Sequence, residues 1–276
     1  MFFKKEVGTI VAYDKSQFLI QDIVECGQLF RFEYLDEKTC KIISKNKICI
    51  LKDTPDCVTM CCDDTDYFTD YFDLSVDYNR IKGILKCADT DKALEYGKGI
   101  RMLKQDPVET LFSFIVSQNN NIPRIKSIIA RLSSSLGEKI SDTDYAFPTV
   151  EKLASKDVDF YRSLGLGYRA EYIVDTARRL LDGFDFDMSN LSSDEARRRL
   201  MTLKGVGPKV ADCILLFGYS RMDVFPVDTW GEKIYRDLIG GAATSPEKMA
   251  RALRDRFGDL AGYAQQYLFY YYRNNF

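Results

Sequence analysis

The chain has 276 residues, 46% hydrophobic and 29% charged, with a formal net charge of −2. That length supports one large domain or two to three small ones with real cores, and the balance excludes a disordered chain. No run of about 18 apolar residues is present, which excludes a spanning helix, and the lack of any histidine weighs against a zinc site.

The start, Met1-Phe2-Phe3-Lys4-Lys5-Glu6, has no signal-peptide apolar core, so a cytoplasmic protein is expected, nucleoid-associated if bacterial. Cysteines stand at 26, 40, 49, 57, 61, 62, 87 and 213 and read as reduced thiols without a secretory signal. No four of them close the C-terminus, so no iron–sulfur cluster is expected there. Residues 1–100 carry a net charge of −4 and residues 101–276 a net of +2. Any nucleic-acid contact therefore falls mostly in the second part and relies on local geometry more than on a basic field.

The first hundred residues read as strand-rich. Lys41–Leu51 is a hairpin, two apolar runs around a polar turn. Phe18–Ile20 and Phe30–Tyr34 are further strand candidates, and the acidic, cysteine-rich stretch 53–73 reads as loop with a short helix. From about residue 100 the pattern turns helical. Asp106-Pro107-Val108-Glu109 combines an N-cap, proline at the first position and glutamate at the third. The helix runs through Val116 and stops near Asn119–Asn121, and Ile122-Pro123-Arg124 opens the next. Ser192–Glu195 is a second capping box. The expected fold is α+β: an N-terminal antiparallel β-sheet domain over residues 1–100, then a mostly helical core over residues 101–276.

Leu203-Lys204-Gly205-Val206-Gly207-Pro208-Lys209 joins two helices. Two glycines two apart permit a tight turn and close backbone approach. Pro208 sits where the next helix begins, and the exposed amides of that helix start can hold a phosphate. This is the geometry of a helix-hairpin-helix clamp at about 193–218, although a plain interhelical turn reads equally well locally. Lys209 faces the positive end of the helix dipole, an unfavourable place for a cation. Such local violations fall at functional sites, and a nucleophilic lysine needs a neutral amine. A solvated surface lysine remains the local alternative. Phe225-Pro226-Val227-Asp228-Thr229-Trp230 reads as an extended entry with Asp228 as N-cap. A capped carboxylate stays fixed and ionised, which suits stabilisation of a positive transition state.

Leu203–Cys213 followed by Pro226-Val227-Asp228 resembles the helix-hairpin-helix-GPD superfamily of DNA glycosylases, and within it the 8-oxoguanine DNA glycosylase family. The resemblance covers nearly the whole chain. It implies a bifunctional base-excision repair enzyme, an 8-oxoguanine DNA N-glycosylase and apurinic/apyrimidinic lyase. Lys209 then attacks deoxyribose C1′ to form a Schiff base that permits β-elimination, and Asp228 steadies the positive charge. The N-terminal domain is implied to be TBP-like and to contribute Gly27, whose carbonyl accepts the N7–H of the oxidised base. Cys213 and Phe269 are implied to flank the flipped base and Gln265 to read its Watson–Crick edge.

The same resemblance assigns Asn119 to fill the space left by the flipped base. It assigns Arg124 and Arg169 to the estranged cytosine, Tyr168 to the wedge that kinks the duplex, and Gly205 and Gly207 to the DNA backbone. The implied partner is double-stranded DNA containing 8-oxoguanine, preferentially opposite cytosine, bound by a monomer with no membrane association. No cofactor is required, and a structural cation at the hairpin, around Lys204–Gly207, stays open. Two positions depart from the family: Lys204 stands where the hairpin has proline, and Trp230 where eukaryotic members have histidine. A related glycosylase with another lesion choice, or a non-catalytic module that keeps only the clamp, is the alternative reading. Pyrimidine-lesion and adenine-mismatch relatives carry a C-terminal cysteine cluster that this chain lacks.

Overall fold

The computed structural model describes residues 2–276. The chain divides into two compact units, one of residues up to Ile42 with Cys49–Lys104 and Ser220–Phe276, the other of Ile43–Ile48 with Gln105–Tyr219.

Six strands form the sheet, β1 (Phe3–Glu6), β2 (Thr9–Ala12), β3 (Phe32–Tyr34), β4 (Thr39–Ser44), β5 (Lys47–Asp53) and β6 (Val58–Cys62), and all of it but the adjoining ends of β4 and β5 belongs to the first unit. They pair in the order β1-β2-β6-β5-β4-β3, antiparallel in register at β1–β2, β2–β6, β3–β4 and β5–β6. β2 and β4 alternate buried and half-buried residues along their length, the period that sets one sheet face on a core. Ile10, Ala12, Cys40, Ile42, Cys49, Leu51, Val58 and Met60 supply that face and pack with Phe18, Ile23, Phe68 and Phe72. Phe18 and Phe72 meet edge to face with centroids 5.3 Å apart. Burying each such ring stabilises the unit by about 1.5–3 kcal/mol.

Four helices follow or interrupt the sheet: α1 (Ile20–Val24), α2 (Thr65–Tyr71), α3 (Tyr78–Leu85) and α4 (Asp91–Tyr96). The hairpin expected over 41–51 is β4 and β5, and Phe32–Tyr34 is a strand. Phe18–Ile20 is not a strand. Leu19 donates its N–H to Gly99 O at 3.1 Å, and Asp22 Oδ2 accepts from Gly99 N at 2.9 Å. This approach is so close that a Cβ on Gly99 would lie 2.4 Å from Leu19 Cβ. It turns the chain into α1, so tertiary context overrides the β-propensity of a short apolar run.

The second unit contains seven helices: α5 (Pro107–Ser117), α6 (Ile122–Leu136), α7 (Val150–Ala154), α8 (Val158–Ser163), α9 (Arg169–Leu181), α10 (Ser193–Leu200) and α11 (Pro208–Gly218). α5 is buried continuously from Glu109 to Val116, as a central helix must be. Asp106 caps it as expected, its Oδ1 accepting from Val108 N at 3.0 Å and Glu109 N at 2.9 Å. α5 packs on α11, where Phe114 and Phe217 stack at 5.4 Å and 11°. Ser192 and Glu195 form the full capping box of α10.

The remaining helices return to the first unit: α12 (Thr229–Ile239), α13 (Pro246–Phe257) and α14 (Ala261–Asn275). Gly240 ends α12 in the left-handed region, at φ 65°, as a helix C-cap requires. Among the described residues no helix is long and apolar enough to cross a membrane.

Candidate functional site

In the second unit, the link between α10 and α11 is the hairpin expected from its glycines. Gly205 has φ +82°, and a Cβ there would lie 2.4 Å from Tyr172 Cδ2. Only glycine fits both the dihedral and the space. Gly207 is the N-cap of α11 with no side-chain cap, and Pro208 occupies the first turn. The first amides of α11 therefore lack a capping acceptor and point along the positive end of the helix dipole, the arrangement that receives a phosphate. Two hairpin carbonyls already accept one bond each, Lys204 O from Thr176 Oγ1 at 3.3 Å and Gly205 O from Gln118 Nε2 at 2.8 Å. A carbonyl oxygen has a second lone pair to offer. Lys204 itself pairs with Glu171 at 3.4 Å.

Lys209 follows Pro208 and is half-buried. Its Nζ lies 5.1 Å from the centroid of the Phe114 ring, and it makes no ion pair among the described residues. An amine over an aromatic face without a carboxylate partner is positioned yet uncommitted. One turn further along the same face, Cys213 is buried. α11 is held to α10 by the Arg197–Asp212 pair, Nε to Oδ1 at 2.6 Å, with Asp212 at 3% exposure. This tie fixes the helix from which both side chains project.

The second unit also gathers Asn119, Arg124, Tyr168 and Arg169 around the end of α5. Asn119 sits at φ +45°, a conformation that costs a non-glycine residue energy and needs surrounding support. Arg169 supplies it. Its Nε donates to Gln118 O at 2.8 Å and its Nη2 to Asn119 O at 2.9 Å. The sequence alone reads Arg169 as a surface residue, yet it is 4% exposed because these carbonyls consume its donors. Tyr168 is 48% exposed, under the Arg169 guanidinium at 4.5 Å, and Asn119 Nδ2 reaches its hydroxyl at 3.5 Å. Arg124 is exposed and donates from Nη2 to Gly165 O at 3.3 Å.

In the first unit, Asp228 is the N-cap of α12. Its Oδ1 accepts from Trp230 N and Gly231 N, both at 3.0 Å, and its Oδ2 has no hydrogen bond among the described residues. One oxygen is thus spent on the helix and the other is available. Trp230 is half-buried and makes no ring contact there.

Gly27, Gln265 and Phe269 also belong to this unit. Gly27 lies just after α1 at φ +87°, and a Cβ on it would lie 2.9 Å from Phe269 Cε1 and 2.9 Å from Arg273 Nη1. No hydrogen bond reaches its carbonyl among the described residues. α14 is tied to this loop by Gln266 Nε2, which donates to Cys26 O at 2.6 Å, and by Arg273, which donates to Glu25 O. Arg273 also sits 5.3 Å over the Phe269 ring. Gln265 is 6% exposed, and its Oε1 is buried with no hydrogen-bond partner. An acceptor left open in this way costs about 1–3 kcal/mol, which a binding site tolerates because its ligand completes the bond.

The structure thus brings Gly27 against Phe269, sets Lys209 and Cys213 on one helix face, and clusters Asn119, Tyr168 and Arg169. Sequence reasoning missed Gln118, Gln266 and Arg273. Arg273 stands four residues after Phe269, a helical spacing that could have flagged it; Gln118 carries no such signal. Among the described residues no group of three or more His, Cys, Asp or Glu is placed to hold a metal ion.

The chain is similar to known proteins over nearly its whole length. Residues 10–111 match the 8-oxoguanine DNA glycosylase N-terminal domain and residues 112–258 the HhH-GPD superfamily of base excision DNA repair proteins. The N-glycosylase/DNA lyase of Saccharomyces cerevisiae is 34% identical, over 81% of this chain and 69% of its own. A probable N-glycosylase/DNA lyase of Methanothermobacter thermautotrophicus is 33% identical, over 74% of this chain and 73% of its own. The Clostridium acetobutylicum 8-oxoguanine glycosylase/lyase, solved with double-stranded DNA containing cytosine opposite 8-oxoguanine, superposes with a TM-score of 0.91 at 35% identity, covering 99% of this chain and 98% of that one.

Proposed function

Because this chain belongs to the 8-oxoguanine DNA glycosylase family of the HhH-GPD superfamily, a base-excision repair glycosylase with lyase activity, we propose that it excises 8-oxoguanine, preferentially opposite cytosine, with Lys209 as nucleophile and Asp228 as charge stabiliser. Chemistry on a base requires that it leave the stack. Gly205 and Gly207 approach the backbone, Tyr168 wedges the duplex, and Asn119 fills the hole. Arg124 faces the estranged cytosine, and Arg169 acts there too while bracing the Asn119 loop. Residues 1–100 serve as the β-rich domain that contributes Gly27, and residues 101–276 as the helical core. The enzyme works as a monomer on double-stranded DNA containing 8-oxoguanine, in the cytoplasm, nucleoid-associated if the source is bacterial.

As the C1′–N9 bond lengthens, the sugar gains positive charge, and the Asp228 carboxylate opposes it. The Lys209 amine adds its lone pair to C1′, the base departs with the bonding electrons and takes up a proton, and the sugar ring opens to the iminium. Removal of a C2′ proton then expels the 3′-phosphate, and hydrolysis of the imine returns Lys209. No step in this sequence calls on a metal or cofactor.

The choice of the lesion over guanine rests on the Gly27 carbonyl, while Gln265 reads the Watson–Crick edge that the two bases share. Oxidised guanine carries N–H at position 7 where guanine has a bare acceptor, so only the lesion can donate to the Gly27 carbonyl. The observation that carries the reading is the Gly27 carbonyl, which no hydrogen bond reaches among the described residues, beside the Phe269 ring; the buried, unpartnered Gln265 Oε1 supports a guanine-type base by taking a donor from the Watson–Crick edge. Duplexes carrying 8-oxoguanine or guanine at one site test it. The lesion strand should be cut and the guanine strand left whole; equal cutting of both would refute the assignment.

A further inference from the structure

Gln118 ends α5 and bonds in two directions. Its side-chain Nε2 donates to Gly205 O at 2.8 Å and to Ile115 O at 3.2 Å. Its main-chain carbonyl accepts from Arg169 Nε at 2.8 Å, from Arg169 Nη2 and from Tyr168 Oη at 3.4 Å. Arg169 Nη2 also holds Asn119 O at 2.9 Å. One residue therefore grips the hairpin that leads into Lys209 and the loop that presents Asn119.

Neither end of this link is soft. Gly205 cannot slide toward α9, because the Tyr172 ring fills the space where its Cβ would lie. Gly207 caps α11 without a side chain, so the first turn of that helix takes its position from the hairpin. Lys209 lies in that turn. At the other end, Asn119 sits at φ +45°, and Arg169 clamps the two carbonyls that flank its Cα, those of Gln118 and Asn119. A displacement of Asn119 by the base it faces is passed to the Gln118 carbonyl, and through the same residue to the Gly205 carbonyl.

We propose that Gln118 is a positioning residue that couples the identity of the opposite base to the placement of Lys209. This rests on the assignment of Asn119 and Lys209 made above. The cytosine-matched loop holds Gln118 where its amide fixes the hairpin, and a mismatched base loosens it. The coupling acts on the rate of the chemical step, not on duplex affinity.

Single-turnover cutting of 8-oxoguanine opposite each of the four bases tests this with wild type, Gln118→Ala and the volume-matched Gln118→Met. Both variants keep the main-chain carbonyl and lose the Gly205 bond. The loss of one hydrogen bond predicts a slowing of about three- to tenfold opposite cytosine. Opposite adenine the slowing should be smaller, so the cytosine-to-adenine rate ratio falls toward one while duplex affinity stays within about twofold. A merely structural role would slow all four pairs alike. Equal slowing, or none, in whichever variant retains the wild-type melting temperature would overturn the coupling alone. Wild type that cuts opposite all four bases at one rate would overturn the opposite-base reading, and the coupling with it.

Discussion

Replacing Gly205 by alanine should damage the protein in a way that replacing Gly167 does not. Both glycines have positive φ, +82° and +59°, but a Cβ on Gly205 would lie 2.4 Å from Tyr172 Cδ2 and 2.5 Å from Cγ, whereas a Cβ on Gly167 meets nothing within 4 Å. The left-handed conformation costs alanine about 1–2 kcal/mol at either site. Forcing a methyl into an occupied space adds about 1–3 kcal/mol at Gly205 only. G205A should therefore lose roughly 2–5 kcal/mol of stability and G167A about 1–2 kcal/mol. Urea unfolding followed by circular dichroism reads the difference from the midpoints at a common slope. Tyr172→Ala in the G205A background should recover the steric part, a coupling expected for residues in contact. If G205A is no more destabilised than G167A, the tight hairpin built on Tyr172 is wrong.

Arg197→Met removes the ion-pair partner that Asp212 meets at 2.6 Å and should cost about 3 kcal/mol, because a buried charge loses its counterpart; a loss below about 1 kcal/mol in the same unfolding assay would contradict that. Thiol reactivity should split by environment. Burial pushes the Cys26 thiol up to about 12, whereas the Thr90 hydroxyl beside the exposed Cys87 holds its thiol below the ordinary range. Since the thiolate is the reactive species, Cys87 should be alkylated early at neutral pH, and its labelling should rise at lower pH than that of an ordinary cysteine. Cys26 should stay unlabelled until the protein unfolds. Peptide mass mapping checks both, and early labelling of Cys26 would refute the burial.

The parts of the site legible in the sequence are those that local chemistry dictates. Asp106, Ser192 and Asp228 each announce a helix start, and each caps one. Gly205, Gly207 and Pro208 announce a hairpin, and its backbone is that of a hairpin. What the sequence conceals is set by residues far apart. β1 and β2 are four residues each, too short for their alternation to stand out, and β6 hides inside an acidic stretch. Gly99 bends Phe18–Ile20 out of any strand from about eighty positions away. Arg169 passes for a surface arginine until the carbonyls of Gln118 and Asn119 close on it. Gln118 has no local pattern at all, because its meaning lies in a bond to Gly205. Only the resemblance to a family singles out Gly27, Gln265 and Phe269, which periodicity alone would assign to loop and core. Of these, Gln265 has an acceptor buried without a partner, which no sequence pattern announces.

Catalysis through Lys209 requires a covalent link between its amine and the lesion nucleotide. Borohydride reduction during the reaction with an 8-oxoguanine·cytosine duplex, followed by peptide mapping, tests it most directly. Wild type should yield a DNA–protein adduct on the peptide that contains Lys209, and Lys209→Gln should yield none. An adduct on another residue, or one that persists in Lys209→Gln, would contradict the account.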